Sequence, residues 1–558
     1  MGRLDKLPTE ILFEITAQLE ITDVRKLRLV NRTIGAIADR IALKEICFTM
    51  CKQDFVMIRE IMKNPVYAAH VTRLAYVVQM LTMERQTLQM YTNAIRKKRR
   101  SDEELHKKHP HLFERPPDRM TKREILDHYN RYLRLYEDQD EILTNELDYE
   151  VLKEVIAKLP NLRDVVVSDC NELRIIKKPH IKSHWELHSG KFDDGKASTR
   201  HLRAILKGVE ESKTQLQSIR AALIYLDILN ETQFGLHSMA SDLLENLTTF
   251  QLMLLAVEER EGGWLGEDPV DITNQIAQCR ALVHKGALRR ILDRMPNLVE
   301  LDIQFFEAHC QIKGTFPSPA ALRDVIPLDR VWPRLKTFSI SGVETERQEI
   351  ASFLVRHKQS LESFDLCYIR LTSTSWYKLL PYLKSQFCGT QLKDARLLDS
   401  IIGRSEDMLQ LPEAWSLGHP DHDERPNRIG AAVTKYLLSP RKRRCPLRDD
   451  NMLERLVPVL MPESDDEWSS EMDDFEFVQE PEMGPGVNTA PWNSPVNHFG
   501  VAAGIGNGEE EEEEANDVDD SDEDEDEDGD DSDEDEDEDG DDSEEESEEE
   551  GEDNNLVI

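Results

Sequence analysis

A chain of 558 residues that is 39% hydrophobic is too long for one core and apolar enough to fold, which excludes a wholly disordered protein and points to two or more units. Its net charge of −41 is uneven: 35 acidic and no basic residues lie between Glu509 and Asp553, leaving 75 acids against 69 bases, a net of −6, in residues 1–508. Eight scattered cysteines without a CxxC exclude a disulfide framework, and no apolar run approaches the roughly 20 residues that span a bilayer. With no signal-peptide pattern, the expected setting is the nucleus or the cytoplasm, with reduced thiols and no membrane partner.

The first element is "LPTEILFEITAQL", Leu7–Leu19. Pro8 suits a first helical turn, where no backbone donor is needed and φ is already right. Ile11, Leu12, Ile15 and Leu19 recur at helical spacing and make one wide apolar face. A second helix begins near Thr22 or Asp23, both good caps, and carries Val24, Leu27 and Val30. A third follows Asn31, a candidate cap, and carries Ile34, Ile37, Ala38 and Ile41. Three short helices in about 40 residues cannot bury enough surface to be very stable alone. Their aliphatic faces therefore need a partner, either the rest of the chain or another protein.

"LPTEILFEITAQLEITDVRKLRLVNRTIGAIA" resembles an F-box over roughly residues 4–45: an LP start, E-I-L on the first helix, then D and L-R-L-V-N-R. The register of Leu7, Pro8, Ile11 and Leu12 with Leu27, Val30 and Asn31 carries the resemblance. It implies docking on a Skp-type adaptor, and through it a cullin ubiquitin ligase. The adaptor-binding residues it implies are Leu7, Pro8, Ile11, Leu12, Ile15, Leu19, Leu27, Val30, Asn31 and Ile34. A large aliphatic side chain buried at such an interface is worth roughly 1.5–3 kcal/mol before association costs.

Residues 49–158 read as a helical connecting region. The polar stretch from Ile95 to Arg119, with a basic run and a proline pair, is expected to be a solvated loop. Lys97 to Arg100 within it, and Ser439–Arg448 later, are candidate nuclear addresses.

From residue 159 to 400 a phrase recurs: "LPNLRDVVV" at Leu159, "MPNLVELDI" at Met295, "WPRLKTFSI" at Trp332 and "KQSLESFDL" at Lys358. In each, an apolar helix ends, a leucine follows, and alternating apolar residues continue as a strand. The anchoring leucines are Leu162, Leu247, Leu298, Leu335, Leu361 and Leu392. A strand plus a helix in this order is the unit of a leucine-rich repeat, here of uneven period, and stacked units bury one strand face. The alternative is an ordinary α/β sheet of unrelated strands. "LESFDLCYIRLTSTSWYKLL", from Leu361, also resembles a segment of fungal-type F-box proteins with degenerate leucine-rich-repeat-like domains. The expected class is α/β: an F-box over 1–48, the helical region over 49–158, an irregular repeat solenoid over 159–400, a cap and linker over 401–508, and a disordered acidic tail over 509–558.

No catalytic constellation emerges. His180, His184 and His188 have helical spacing, but in a polar stretch they are expected to be solvated. The segment Asp535–Glu546 satisfies the calcium-loop pattern literally, with no flanking amphipathic helices to support it. The tail repeats "SDEDEDEDGDD" at Ser521 and Ser532, and charge at this density opposes collapse. Ser521, Ser532, Ser543 and Ser547 precede acids and are phosphorylation candidates for acid-directed kinases. The expectation is therefore a non-enzymatic subunit with no cofactor or metal and no direct nucleic-acid contact. It docks through the F-box and recruits an unknown protein substrate through the repeats. The alternative is an acidic-tailed scaffold or chaperone for basic proteins such as histones.

Overall fold

The computed structural model describes residues 7–447, except 20, 78–80, 82–84, 109–119, 169–193, 257–268, 307–317, 404–412, 418–427 and 441–443. The chain divides into two units, Met1–Trp468 and Ser469–Ile558, and all described residues belong to the first. The acidic tail with its four candidate serines, the calcium-loop pattern and His180, His184 and His188 lie outside the described residues.

Fourteen strands are described. In chain order they are β1 (Glu45–Phe48), β2 (Arg73–Val77), β3 (Asp164–Ser168), β4 (Ser218–Tyr225), β5 (Thr249–Leu255), β6 (Glu300–Phe306), β7 (Ala320–Ala321), β8 (Thr337–Ser341), β9 (Val343–Thr345), β10 (Ser363–Cys367), β11 (Arg370–Leu371), β12 (Asp394–Leu398), β13 (Ser400–Gly403) and β14 (Glu413–Ser416). Nine of them form one sheet in the order β1-β2-β3-β4-β5-β6-β8-β10-β12, so each strand lies beside the one added before it. All the pairings in that sheet are parallel. A second sheet runs β14-β13-β11-β9-β7, and only its β13–β14 pairing is antiparallel.

The eight strands that follow β1 in this sheet start in the same way. The amides of Thr72 and Arg73 both donate to the Lys44 carbonyl, those of Arg163 and Asp164 to Thr72, and those of Gln217 and Ser218 to Arg163. The pattern continues through Gln217, Thr248, Val299, Lys336 and Glu362 as acceptors. Two donors on one carbonyl use both its lone pairs and leave no freedom to slip register. Two residues before the first paired residue sits the anchoring side chain. Leu162, Leu247, Leu298, Leu335 and Leu361 are at most 2% exposed, and Leu392 is partly buried against the same core. Leu216 occupies the same place ahead of β4 and is also buried.

Alternation then sorts each strand's faces. Ile46, Leu74, Val165, Ile219, Phe250, Leu301, Phe338, Phe364 and Ala395 follow one another in register, and all are buried in the main core with the apolar faces of the helices. Five residues after the first paired residue, four strands carry a left-handed backbone: Leu223, Gly342, Tyr368 and Asp399, with φ of 57°, 75°, 50° and 54°. At the last three, this turns the chain from one sheet into the other. At Gly342 the neighbour is close as well, since a Cβ there would lie 2.6 Å from the Phe305 carbonyl oxygen.

Among the described residues, eight helices precede the helix Asp194–Ser212: α1 (Thr9–Ala17), α2 (Ile21–Leu27), α3 (Arg32–Ala42), α4 (Lys52–Lys63), α5 (Pro65–Ala68), α6 (Leu88–Lys108), α7 (Lys122–Thr144) and α8 (Leu147–Ala157). Three expectations change here. The region 49–158 is not wholly helical, because β2 lies in it. The sheet already starts at β1, ahead of residue 159; β1 pairs with β2, and β2 with β3, and those pairings identify them as part of it. The stretch from Ile95 is a helix as far as Lys108, not a loop, and Lys97 to Arg100 lie on it. Tyr91 and Ile95, one turn apart, bury against Tyr132 in a separate small core, and Arg99 pairs with Glu103 at 2.7 Å. Gln139 on α7 ties Leu81 in place, accepting from its amide and donating to its carbonyl, both at 2.8 Å.

Burial also sets the ionisation of two histidines. His357 accepts from the Trp332 amide through Nε2 at 3.0 Å, and its Nδ1 lies 2.9 Å from the Phe353 carbonyl. This arrangement assigns the proton to Nδ1, and burial holds the ring's pKa below its usual range. His201, on the helix Asp194–Ser212, stacks on Tyr76 with ring centres 3.7 Å apart. Neither of its ring nitrogens has a hydrogen-bond partner. Burial first, and then the charge of Arg200, push its pKa down to about 3.

Two outcomes follow. A histidine whose folded pKa lies below its unfolded value of 6.5 leaves stability intact above that pH and removes it as pH falls. Urea unfolding of the protein should therefore weaken between pH 6 and 5 by up to about 1.4 kcal/mol on account of His201; His201→Phe, which keeps the stacked ring, should remove that part of the slope. Gly342→Ala should cost more than Gly389→Ala, whose Cβ meets nothing within 4 Å although its φ is 79°. The backbone alone accounts for roughly 1–2 kcal/mol at either position, and thermal melting would show the further loss at Gly342.

Candidate functional site

The N-terminal helices form their own small module. Pro8, expected in the first helical turn, stands one residue ahead of it as the N-cap, with φ −53° and ψ 146°, and its carbonyl accepts from the Leu12 amide at 3.1 Å. Asn31 caps α3, its side chain accepting from the Ile34 amide at 2.8 Å. α1 and α2 both pack on α3. The α2–α3 approach is tight, since a Cβ on Gly35 would lie 2.9 Å from the Arg28 carbonyl oxygen. An Arg28–Asp39 ion pair joins the same two segments, and the Arg40 guanidinium sits 5.3 Å from the centre of the Phe13 ring.

Packing divides the aliphatic residues of α1 that the sequence left on one wide face. Leu12 is 4% exposed, and with Val24, Ile34, Ile37 and Ala38 it fills the interior of the module. Leu12 and Ile34, both candidates for adaptor contact, thus have a packing role. Leu7, Ile11, Ile15 and Leu19 are 38%, 48%, 43% and 40% exposed. They are four residues apart, so they form one stripe along the helix and its flanks. Val30 is exposed at 59% and its neighbour Leu29 at 89%, while Leu27 is half-buried and Pro8 and Asn31 are exposed. Leu29 is the exposed neighbour of the stripe that the sequence does not single out. The signal for it was weak, because in an L-R-L-V run the sequence does not say which leucine turns outward.

The module's buried residues join neither the main core nor the α6–α7 core. The first-layer reading of these helices, as the start of the larger core, therefore does not hold. An aliphatic stripe left in water at this spacing is the mark of a binding surface. Among the described residues no group of three or more His, Cys, Asp or Glu could hold a metal ion, and no helix is long and apolar enough to cross a membrane.

The Asn31 cap tests this construction. Asn31→Ala should lower the stability of the module by about 1 kcal/mol. Amide hydrogen exchange should show faster opening in α3 while β5 and β6 remain protected.

No curated protein matches the chain as a relative. Domains of the F-box class bind Skp-type adaptors, and through them cullin complexes. Residues 4–45, the segment that builds the module and its exposed stripe, match the F-box domain family, so the chain carries an F-box domain at its N-terminal end.

Proposed function

We propose that this protein is a non-enzymatic, substrate-recruiting subunit of a Skp–cullin–F-box ubiquitin ligase, acting in the nucleus or cytoplasm. The F-box docks on the adaptor, and the nine-stranded sheet with its helices is a leucine-rich-repeat-like array that holds a protein target. Transfer of ubiquitin is then the work of the other subunits. The observation that carries this reading is the stripe of Leu7, Ile11, Ile15 and Leu19, exposed on a module that matches the F-box domain. Support for the repeat reading comes from the monotonic parallel order of the strands, the recurring leucine before each strand, and the left-handed residue at one position of four strands. Solenoids built in this way present extended surfaces that suit protein recognition.

Docking through the stripe separates cleanly from folding. Ile11→Glu with Ile15→Glu places charge only where the side chains already meet water, so thermal melting should remain within about 0.5 kcal/mol of the parent. Co-purification with the adaptor should be lost, because charges in the centre of an apolar interface are left unpaired on binding. Retention of the adaptor by this double variant would overturn the assignment. Leu12→Glu is a poorer probe, since a charge at a buried position unfolds the module whatever its partner.

A further inference from the structure

The connection from β2 to β3 is the longest in the main sheet. It takes residues 78–163, 86 in all, against 21 for residues 342–362 between β8 and β10 and 26 for residues 368–393 between β10 and β12. Its last helix, α8, gives Val151, Leu152, Val155 and Ile156 to the main core, as the helix of a repeat must. The other two are an insertion. Tyr91 and Ile95 of α6 and Tyr132 of α7 close a core of their own, and α7 joins the main core near its end, through Ile142. Insertions into a repeat array commonly carry its binding face.

The helix α6 is basic, with seven lysines and arginines against three acids. Helical period sorts them. Arg100 lies nine residues, or two and a half turns, beyond Tyr91, so it faces directly away from the small core; Arg96 is one turn before it and Lys107 two turns after. All three are exposed, and so is Lys97. Among the described basic side chains of α6 only Arg99 has an acidic partner, Glu103 at 2.7 Å. Like charges one turn apart, as at Arg96 and Arg100, weaken a helix. An anion laid along them reverses that effect.

We propose that this cationic stripe docks an acidic segment of the recruited protein, an extended run rich in aspartate or glutamate. The inference rests on the recruiting role proposed above and adds the chemistry of the recruited segment. The complementarity is one of charge and of spacing. Alternate carboxylates of an extended chain lie roughly 6.6 Å apart on one side, close to the roughly 6 Å rise from Arg96 to Arg100. The stripe is about 16 Å long, so a short acidic run covers it. A nucleic acid fits less well. Its phosphates continue past the stripe on both sides, toward a body whose net charge over residues 1–508 is −6. Bases would also find no ring to stack on, because Tyr91, Tyr129, Tyr132 and Tyr136 pack into the small core.

The test uses the full chain and fluorescence anisotropy of labelled dodecapeptides in which glycine alternates with glutamate, serine or lysine. A labelled heptathymidylate carries the same number of negative charges as the glutamate peptide. The glutamate peptide should bind at least about tenfold tighter than the other three probes, and its affinity should fall as salt is added. Arg96→Gln with Arg100→Gln and Lys107→Gln should weaken it about tenfold. Arg334→Gln, at an exposed cation outside the insertion, should leave it unchanged. Arg96→Lys with Arg100→Lys keeps the charge and should bind as the parent does, which separates loss of charge from loss of fold. Equal binding of the serine peptide, or glutamate binding that survives the triple substitution, would overturn the proposal. So would tighter binding of the oligonucleotide, which makes the occupant a nucleic acid, or binding that appears only once residues 509–558 are removed, which makes it the chain's own acidic run. Adaptor co-purification is scored separately. Acidic-peptide binding without the adaptor keeps this site and removes the ligase reading, and adaptor binding without the peptide does the reverse.

Discussion

The shared carbonyl at the start of each strand is the constraint on which the rest of the sheet depends. Two amides of each incoming strand close on one oxygen of the strand before it, as Glu362 and Ser363 do on Lys336. That contact fixes register, and register fixes which residues meet the core. A slip of one residue would turn Phe250, Leu301 and Phe338 to the other face and bring Gln251, Asp302 and Ser339 inward. The buried leucine two positions earlier holds the entry to each strand, so the hydrogen bonds and the apolar anchor specify the same alignment.

The same register builds the polar face. Asp302 reaches its neighbours only because β6 lies between β5 and β8 in one alignment. Gln251, Asp302 and Ser339 are far apart in sequence and share one row in the sheet. The ion pairs of Arg73, Arg220 and Arg396 are likewise cross-strand contacts. The left-handed residues after β8, β10 and β12 complete each unit by turning the chain into the second sheet, and the contact of Gly342 with Phe305 shows how little space that turn leaves.

The F-box module follows a different logic. It is small, it is held by a cap, one close glycine contact and a few buried aliphatics, and its interior is separate from that of the sheet. Such a module gains most from an external partner, because so little of its apolar surface is covered from within. The two proposed roles, docking and recruitment, thus fall on parts of the chain that do not share a core.

The sequence by itself determined the elements whose signals are local. Pro8, the periodicity of Ile11 to Leu19 and the Asn31 cap define the module. The leucines 162, 247, 298, 335, 361 and 392 mark six strand entries, because a helix end, a leucine and an alternating run are all read within about ten residues. Other features had no local signal. β1 and β2 are identified by their pairing in turn onto β3, and the polar stretch of α6 is helical because two residues, Tyr91 and Ile95, find Tyr132. Only the tertiary structure decided that Leu12 turns inward while Ile11 and Ile15 remain in water. Neighbouring apolar side chains on one helix are equivalent until a second helix covers one of them, and the shared row of Gln251, Asp302 and Ser339 is likewise invisible until the strands are laid side by side.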